Sequence, residues 1–188
     1  MTNPAQVTSD GMNQFLVVGG TGMLAPLCQA AQAYQPIVAA RFISNWGQVG
    51  QLPETTLRIA LDYTDKQSVA AFLASFNGWH NLSCCVLWVH SHAHDFSAEL
   101  IQAASQRKQP PAIIHLFGSG TDTQVLEQHA AAAQVPFLAV QLHAVDTSSG
   151  KRWMTHSEIS RLAAQAINVL CPDMNLTVKA QCDNIQSS

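Results

Sequence analysis

The stretch Gln14-Phe15-Leu16-Val17-Val18-Gly19-Gly20-Thr21-Gly22-Met23-Leu24-Ala25 decides the fold. Its first half is an apolar run of the kind a buried strand needs, and it ends in glycine. Its second half opens a segment, residues 22–34, that reads as a helix and stops before Pro36. A strand running through glycines into a helix begins a βαβ unit.

Small residues fall at 19, 22 and 25, the pattern G-x-x-G-x-x-A. Gly19 permits the tight turn as the strand ends. Gly22 lets the backbone come close to a pyrophosphate, and Ala25 lets the helix pack against the sheet. The helix N-terminus offers N–H groups and a positive dipole end to phosphates. Gly19, Gly20, Thr21, Gly22, Met23 and Leu24 are therefore assigned to binding a nicotinamide dinucleotide. No Gly-Lys-Ser/Thr follows, so this is not a triphosphate loop.

Outward from the loop, strand patterns occur at 37–41, 56–61, 83–90, 112–117 and 137–143. Helical patterns occur at 66–76, 95–106, 121–134 and 157–169. Asp65 is placed to cap the first of these, and Thr155-x-x-Glu158 is a capping box for the last. Residues 42–55 read as loop, 176–179 as a last short strand and 181–188 as a frayed tail. The strands are continuously apolar, which suits a parallel sheet covered on both faces. The expected fold class is α/β: a doubly wound, mostly parallel, Rossmann-type sheet in three layers. It forms a single NAD(P)-binding domain over residues 1–188, with its core at about 14–180.

The chain of 188 residues is 47% hydrophobic and 11% charged, enough apolar content for a core and too little charge for a disordered chain. A net charge of −3 with no Lys/Arg run excludes a nucleic-acid footprint and an anionic membrane surface. No apolar stretch reaches the roughly 20 residues of a membrane span. The polar residues 1–12 carry no signal pattern, so a cytoplasmic location is expected. The five cysteines are odd in number and form no CxxC, which points to reduced thiols. Adjacent Cys84 and Cys85 should face opposite sides of a strand.

An Asp or Glu at the end of the second strand usually meets a free ribose 2′-OH. Here the strand ends at Arg41, with Ser44 nearby. A guanidinium suits a 2′-phosphate, so NADP is favoured over NAD.

With these residues the chain resembles the short-chain dehydrogenase/reductase superfamily, and within it the small atypical members. Val17–Leu24 looks like that superfamily's first βα turn. Leu61-Asp62-Tyr63 resembles the end of its third strand, which implies that Asp62 and Tyr63 lie by the adenine. Val89-His90-Ser91 falls where the backbone lines the cofactor, and Phe117-Gly118-Ser119 where the catalytic serine stands. Arg152–His156 resembles a closing element of small bacterial relatives. The superfamily's Tyr-x-x-x-Lys pair is missing. The two tyrosines are Tyr34 and Tyr63, and residues 121–134 contain neither Tyr nor Lys.

His90, His92 and His94 alternate just past the fourth strand, at the edge where such sheets place ligands. Three readings stay open: a proton donor, a metal site completed by Asp95, or loop residues bonded to the backbone. Ser119, His92 and His90 are the catalytic candidates, and no metal ligand is assigned. His115 reads as a satisfied core histidine, His129 as surface, His143 as ligand-edge and His156 as structural. The expected activity is an NADP(H)-dependent reductase of a small-molecule carbonyl or imine. The alternatives are a non-catalytic NAD(P)-binding sensor and a His-cluster metal-dependent hydrolase. The expected partner is a small-molecule substrate, with no nucleic acid and no membrane. Low charge and apolar helices are compatible with a homodimer.

Overall fold

Phe15, Leu16, Val17 and Val18 are all buried, which a strand achieves only with neighbours on both edges and a layer on each face. The computed structural model describes residues 13–19, 22–31, 33–41, 52, 54–90 and 93–178, and shows both. In chain order the elements are β1 (Gln14–Val18), α1 (Ala25–Ala30), β2 (Gln35–Ala40), β3 (Leu57–Ala60), α2 (Lys66–Phe76), β4 (Leu82–Trp88) and α3 (His94–Ser105). Then come β5 (Ala112–Phe117), α4 (Gln124–Ala132), β6 (Phe137–Gln141), β7 (Val145–Thr147), β8 (Gly150–Arg152) and α5 (His156–Leu170). Six strands form one parallel sheet in the order β3-β2-β1-β4-β5-β6. That is the doubly wound Rossmann order. β3 and β6 are the edges, and their side chains are accordingly half-buried or exposed.

Side chains alternate across each strand and divide the core in two. Phe15, Val17, Cys84, Val86 and Ile114 meet Leu27 and Cys28 of α1 and Ile159, Ala163 and Ile167 of α5. Leu16, Val18, Cys85, Leu87 and Ile113 meet Phe72, Phe96, Leu100 and Leu126 of α2, α3 and α4. Cys84 and Cys85 thus face opposite layers, as expected. Cys28, Cys84, Cys85 and Cys171 are free thiols, and burial pushes Cys28 up to about 12. Cys182 lies outside the described residues. No helix among the described residues is long and apolar enough to cross a membrane.

The caps fall where the sequence puts them. Asp65 accepts from the Ser68 amide at 2.9 Å, and α2 spans Lys66–Phe76. Thr155 and Glu158 form a reciprocal box at the start of α5.

Four features differ from expectation. α1 has 6 residues, not the 13 of segment 22–34, because Gly22–Leu24 are spent in a turn whose Ala25 N–H donates to the Gly22 carbonyl. α4 is shorter than 121–134: Gly118–Thr121 form a turn, and Gln134 at φ 56 breaks the far end. The expected strand at 176–179 is not a strand among the described residues. The Asn168 side chain takes the place of a neighbouring strand, bonding both the N–H and the C=O of Leu176 at 2.9 Å. The antiparallel hairpin of β7 and β8 was not expected. It turns through Ser148 and Ser149, with Gly150 at φ 122 and the Thr147 hydroxyl donating to the Gly150 carbonyl at 2.6 Å.

Candidate functional site

β1 and β4 are neighbours, and the chain winds outward from them in opposite directions. In sheets of this order the carboxyl ends of the two strands flanking such a switch point are where ligands bind. Gly19 ends β1 there at φ 78, a backbone region that favours glycine. A Cβ on it would stand 2.5 Å from the Trp88 carbonyl oxygen at the end of β4. Gly19 is required twice, by conformation and by close approach. Gly22 itself and its chain neighbours aside, no atom of the described residues lies within 4 Å of where a Cβ on Gly22 would stand. Gly19 is tight against the sheet, whereas a Cβ at Gly22 would have room among the described residues. Ala25 is buried at the start of α1, as close helix packing needs. The expected supply of free amides is reduced, since the Ala25 N–H is used within the loop and Pro26 has none. Gly20 and Thr21 lie outside the described residues.

The next strands bring Arg41, Asp62 and Tyr63 together at the same edge. Arg41 Nε lies 3.3 Å from Asp62 Oδ2, and its guanidinium carbon is 5.9 Å from the Tyr63 ring centre. The Thr64 hydroxyl and amide donate to Asp62 Oδ1 at 2.6 and 2.9 Å. These bonds, and secondarily Arg41, hold the Asp62 carboxyl below the usual carboxylate range. An exposed ion pair of this kind contributes little stability, at most about 1 kcal/mol. Its effect is to orient the guanidinium, whose side chain is 46% exposed. Ser44 lies outside the described residues.

β4 and β5 deliver the catalytic candidates. Val89 is buried, and His90 is exposed with its carbonyl accepting from Ala93 N at 2.9 Å. Ser119 is exposed in the turn Gly118–Thr121, whose third residue, Gly120, has φ 84. The topology thus brings His90 and Ser119 to the ends of neighbouring strands. Ser91 and His92 lie outside the described residues. His143 is exposed just past β6, and His156 is exposed in the first turn of α5. No group of three or more His, Cys, Asp or Glu among the described residues is arranged to hold a metal. α4, which follows β5, carries neither Tyr nor Lys.

His115 is a satisfied core histidine, as read. Its Nδ1–H donates to the Leu116 carbonyl at 3.2 Å, and its Nε2 accepts from the Ser97 hydroxyl at 2.9 Å. Its ring stacks on Phe117 at 3.9 Å. Burial pushes its imidazole down to about 4. His129, expected at the surface, is half-buried on α4.

A shallow hollow of about 580 Å³ lies away from these strand ends, between Asn77, His80 and Gln106–Gln109. Arg107 there donates to the Phe76 carbonyl at 2.8 Å and to the Trp79 carbonyl, and lies over the Phe76 ring. It closes the C-terminus of α2, a structural task.

No family model matches the sequence, and no curated protein matches it. Solved structures do match. A bulky-bulky ketone specific alcohol dehydrogenase from Comamonas testosteroni is 12% identical, with 89% of this chain and 85% of that one covered and a TM-score of 0.52. A metagenomic short-chain oxidoreductase in complex with NADP is 14% identical, with 89% and 95% covered and a TM-score of 0.53. The Bordetella bronchiseptica enzyme WbmG in complex with NAD is 14% identical, with 75% and 56% covered and a TM-score of 0.53. The fold is Rossmann-type. Its structural neighbours are dehydrogenase and short-chain oxidoreductase Rossmann proteins, and at these identities the likeness is one of fold. The chain spans just over half the length of WbmG.

Proposed function

We propose that this chain is an NADP(H)-dependent oxidoreductase that reduces a small-molecule carbonyl or imine. The observation that supports the reading is Gly19 at the switch point between β1 and β4, with φ 78 and close against the Trp88 carbonyl, followed by Gly22 with room for a Cβ among the described residues. Gly19–Leu24 would hold the pyrophosphate. Arg41, with Ser44, would hold the 2′-phosphate: the ion pair with Asp62 uses Nε, and the Nη fork is the edge that suits a phosphate. Asp62 and Tyr63 would lie by the adenine, and Val89, His90 and Ser91 would line the nicotinamide end. The nicotinamide, when bound, supplies a hydride. The Ser119 hydroxyl would hold the substrate's carbonyl oxygen or imine nitrogen, and His90 or His92 would donate the proton. An imine that arrives protonated needs no such donor, which fits a chain without the Tyr-x-x-x-Lys pair.

A second reading rests on that same gap: a dinucleotide-binding sensor without chemistry, since α4 carries neither Tyr nor Lys. NADPH consumption across a panel of ketones and imines separates the two. Turnover that falls in Ser119→Ala and His92→Ala while NADPH affinity holds supports the enzyme. Binding without consumption supports the sensor. We further propose a cytoplasmic location and a homodimer; light scattering on the purified chain tests the latter.

A further inference from the structure

Ser160 is fully buried on α5, in the layer where α5 packs on α1. Serine is an unfavourable choice for a buried helix interior. Ala163 and Ala164, one turn on, fill the same layer with no polar atom. A helical serine commonly returns its hydroxyl to the carbonyl four residues back. The Ser160 hydroxyl instead donates to the Met23 carbonyl, 2.9 Å away and 137 residues earlier. Met23 belongs to the glycine loop.

The peptide joining Met23 to Leu24 is a trans plane, in which C=O and N–H point in opposite directions. Holding the Met23 carbonyl toward α5 therefore turns the Leu24 N–H away from α5. Leu24 is fixed further by its fully buried side chain and by its carbonyl, which accepts from Cys28 N at 3.2 Å. Individual amides matter here more than a helix dipole. α1 has 6 residues, the Ala25 N–H is spent on Gly22, and Pro26 has none.

We propose that Ser160 is a positioning residue for the dinucleotide site, setting the Met23–Leu24 peptide so that the Leu24 N–H meets the pyrophosphate. The inference rests on the cofactor reading above. Its test is titration of the full chain with NADPH, with adenosine 5′-diphosphate, which keeps the pyrophosphate, and with adenosine 2′-monophosphate, which lacks it. Ser160→Ala should weaken the first two about tenfold, the value of one hydrogen bond, and leave the third unchanged. Ser160→Thr, which keeps the hydroxyl, should restore affinity. In the unmodified chain the Leu24 amide resonance should move on addition of NADPH, which tests the contact even if Ser160→Ala does not fold. An unmoved Leu24 resonance, equal NADPH affinity in Ser160→Ala, or an equal loss for all three ligands overturns the inference alone. An unmodified chain that binds no dinucleotide overturns the cofactor reading and the inference with it.

Discussion

Gly19→Ala and Gly22→Ala make a matched pair, because the same methyl meets opposite surroundings three residues apart. At Gly19 the backbone has φ 78, which costs an L-residue about 1–2 kcal/mol. The new Cβ would also stand 2.5 Å from the Trp88 carbonyl oxygen. That oxygen is backbone at the end of a central strand, so it cannot swing aside, and overpacking of this kind costs about 1–3 kcal/mol. Together they give about 3 kcal/mol, a melting temperature lower by about 10 °C for a chain of this size. At Gly22 the φ is not positive and, its chain neighbours aside, no described atom lies within 4 Å of the new Cβ, so stability should change by no more than about 0.5 kcal/mol. If that open space admits a pyrophosphate, the Gly22 methyl should instead weaken NADPH binding about tenfold. Thermal melts by circular dichroism and NADPH titration of both variants separate packing from binding. A Gly19→Ala chain that melts with the wild type would refute the packing argument. Unchanged NADPH affinity in Gly22→Ala would refute the phosphate assignment.

Arg41→Ala should weaken NADPH about 10- to 100-fold, the worth of a charge-assisted contact, and leave NADH nearly unchanged. Equal losses for both dinucleotides in a binding titration would contradict a 2′-phosphate role. His115 is held neutral at about 4 against an unfolded value of 6.5, so the folded value is the lower one. Its contribution is fully present above pH 6.5 and is lost as pH falls toward 4, about 3 kcal/mol in all. Urea unfolding from pH 7.5 to 4 should show a fall that a His115→Asn variant lacks; identical profiles would sink the idea. Glu158 is held at about 2 by Arg152 first and then by the Thr155 amide. Its folded value is lowered, so its help is present above pH 4.5 and fades as pH falls toward 2. At neutral pH, Glu158→Ala should cost about 1 kcal/mol through the lost box. A melting curve unchanged within error would show the box to be idle.

The sheet was legible because its strands are buried: β1, β4 and β5 are contiguous apolar runs, and burial on both faces demands that. α2 and α5 were legible at their starts because Asp65, Thr155 and Glu158 carry the caps in side chains. α1 is shorter than its pattern suggests because its first residues serve a turn and no capping side chain marks the boundary. The β7–β8 hairpin was missed because Val-Asp-Thr and Gly-Lys-Arg are largely exposed, so no apolar alternation signals them. The C-terminal segment mimics a strand, burying Leu176 and Val178, while its bonding partner is the amide of Asn168. Gly19 and Arg41 stand just past the carboxyl ends of β1 and β2, the position their place after apolar runs implies. The ion pair of Arg41 with Asp62 needs the β2–β3 pairing. Ser160 gave no signal, since its partner lies 137 residues away.

Whether the Gly19–Leu24 loop holds a nicotinamide dinucleotide is measured most directly by the melting temperature of the intact chain with NADPH or NADH. Ligand at about 100 times its Kd adds about 2.7 kcal/mol, a rise of about 5–10 °C for a chain of this size. The open Gly22 and the exposed Arg41 predict that rise with NADPH and a smaller one with NADH at equal concentration. No shift with either dinucleotide would contradict the assignment.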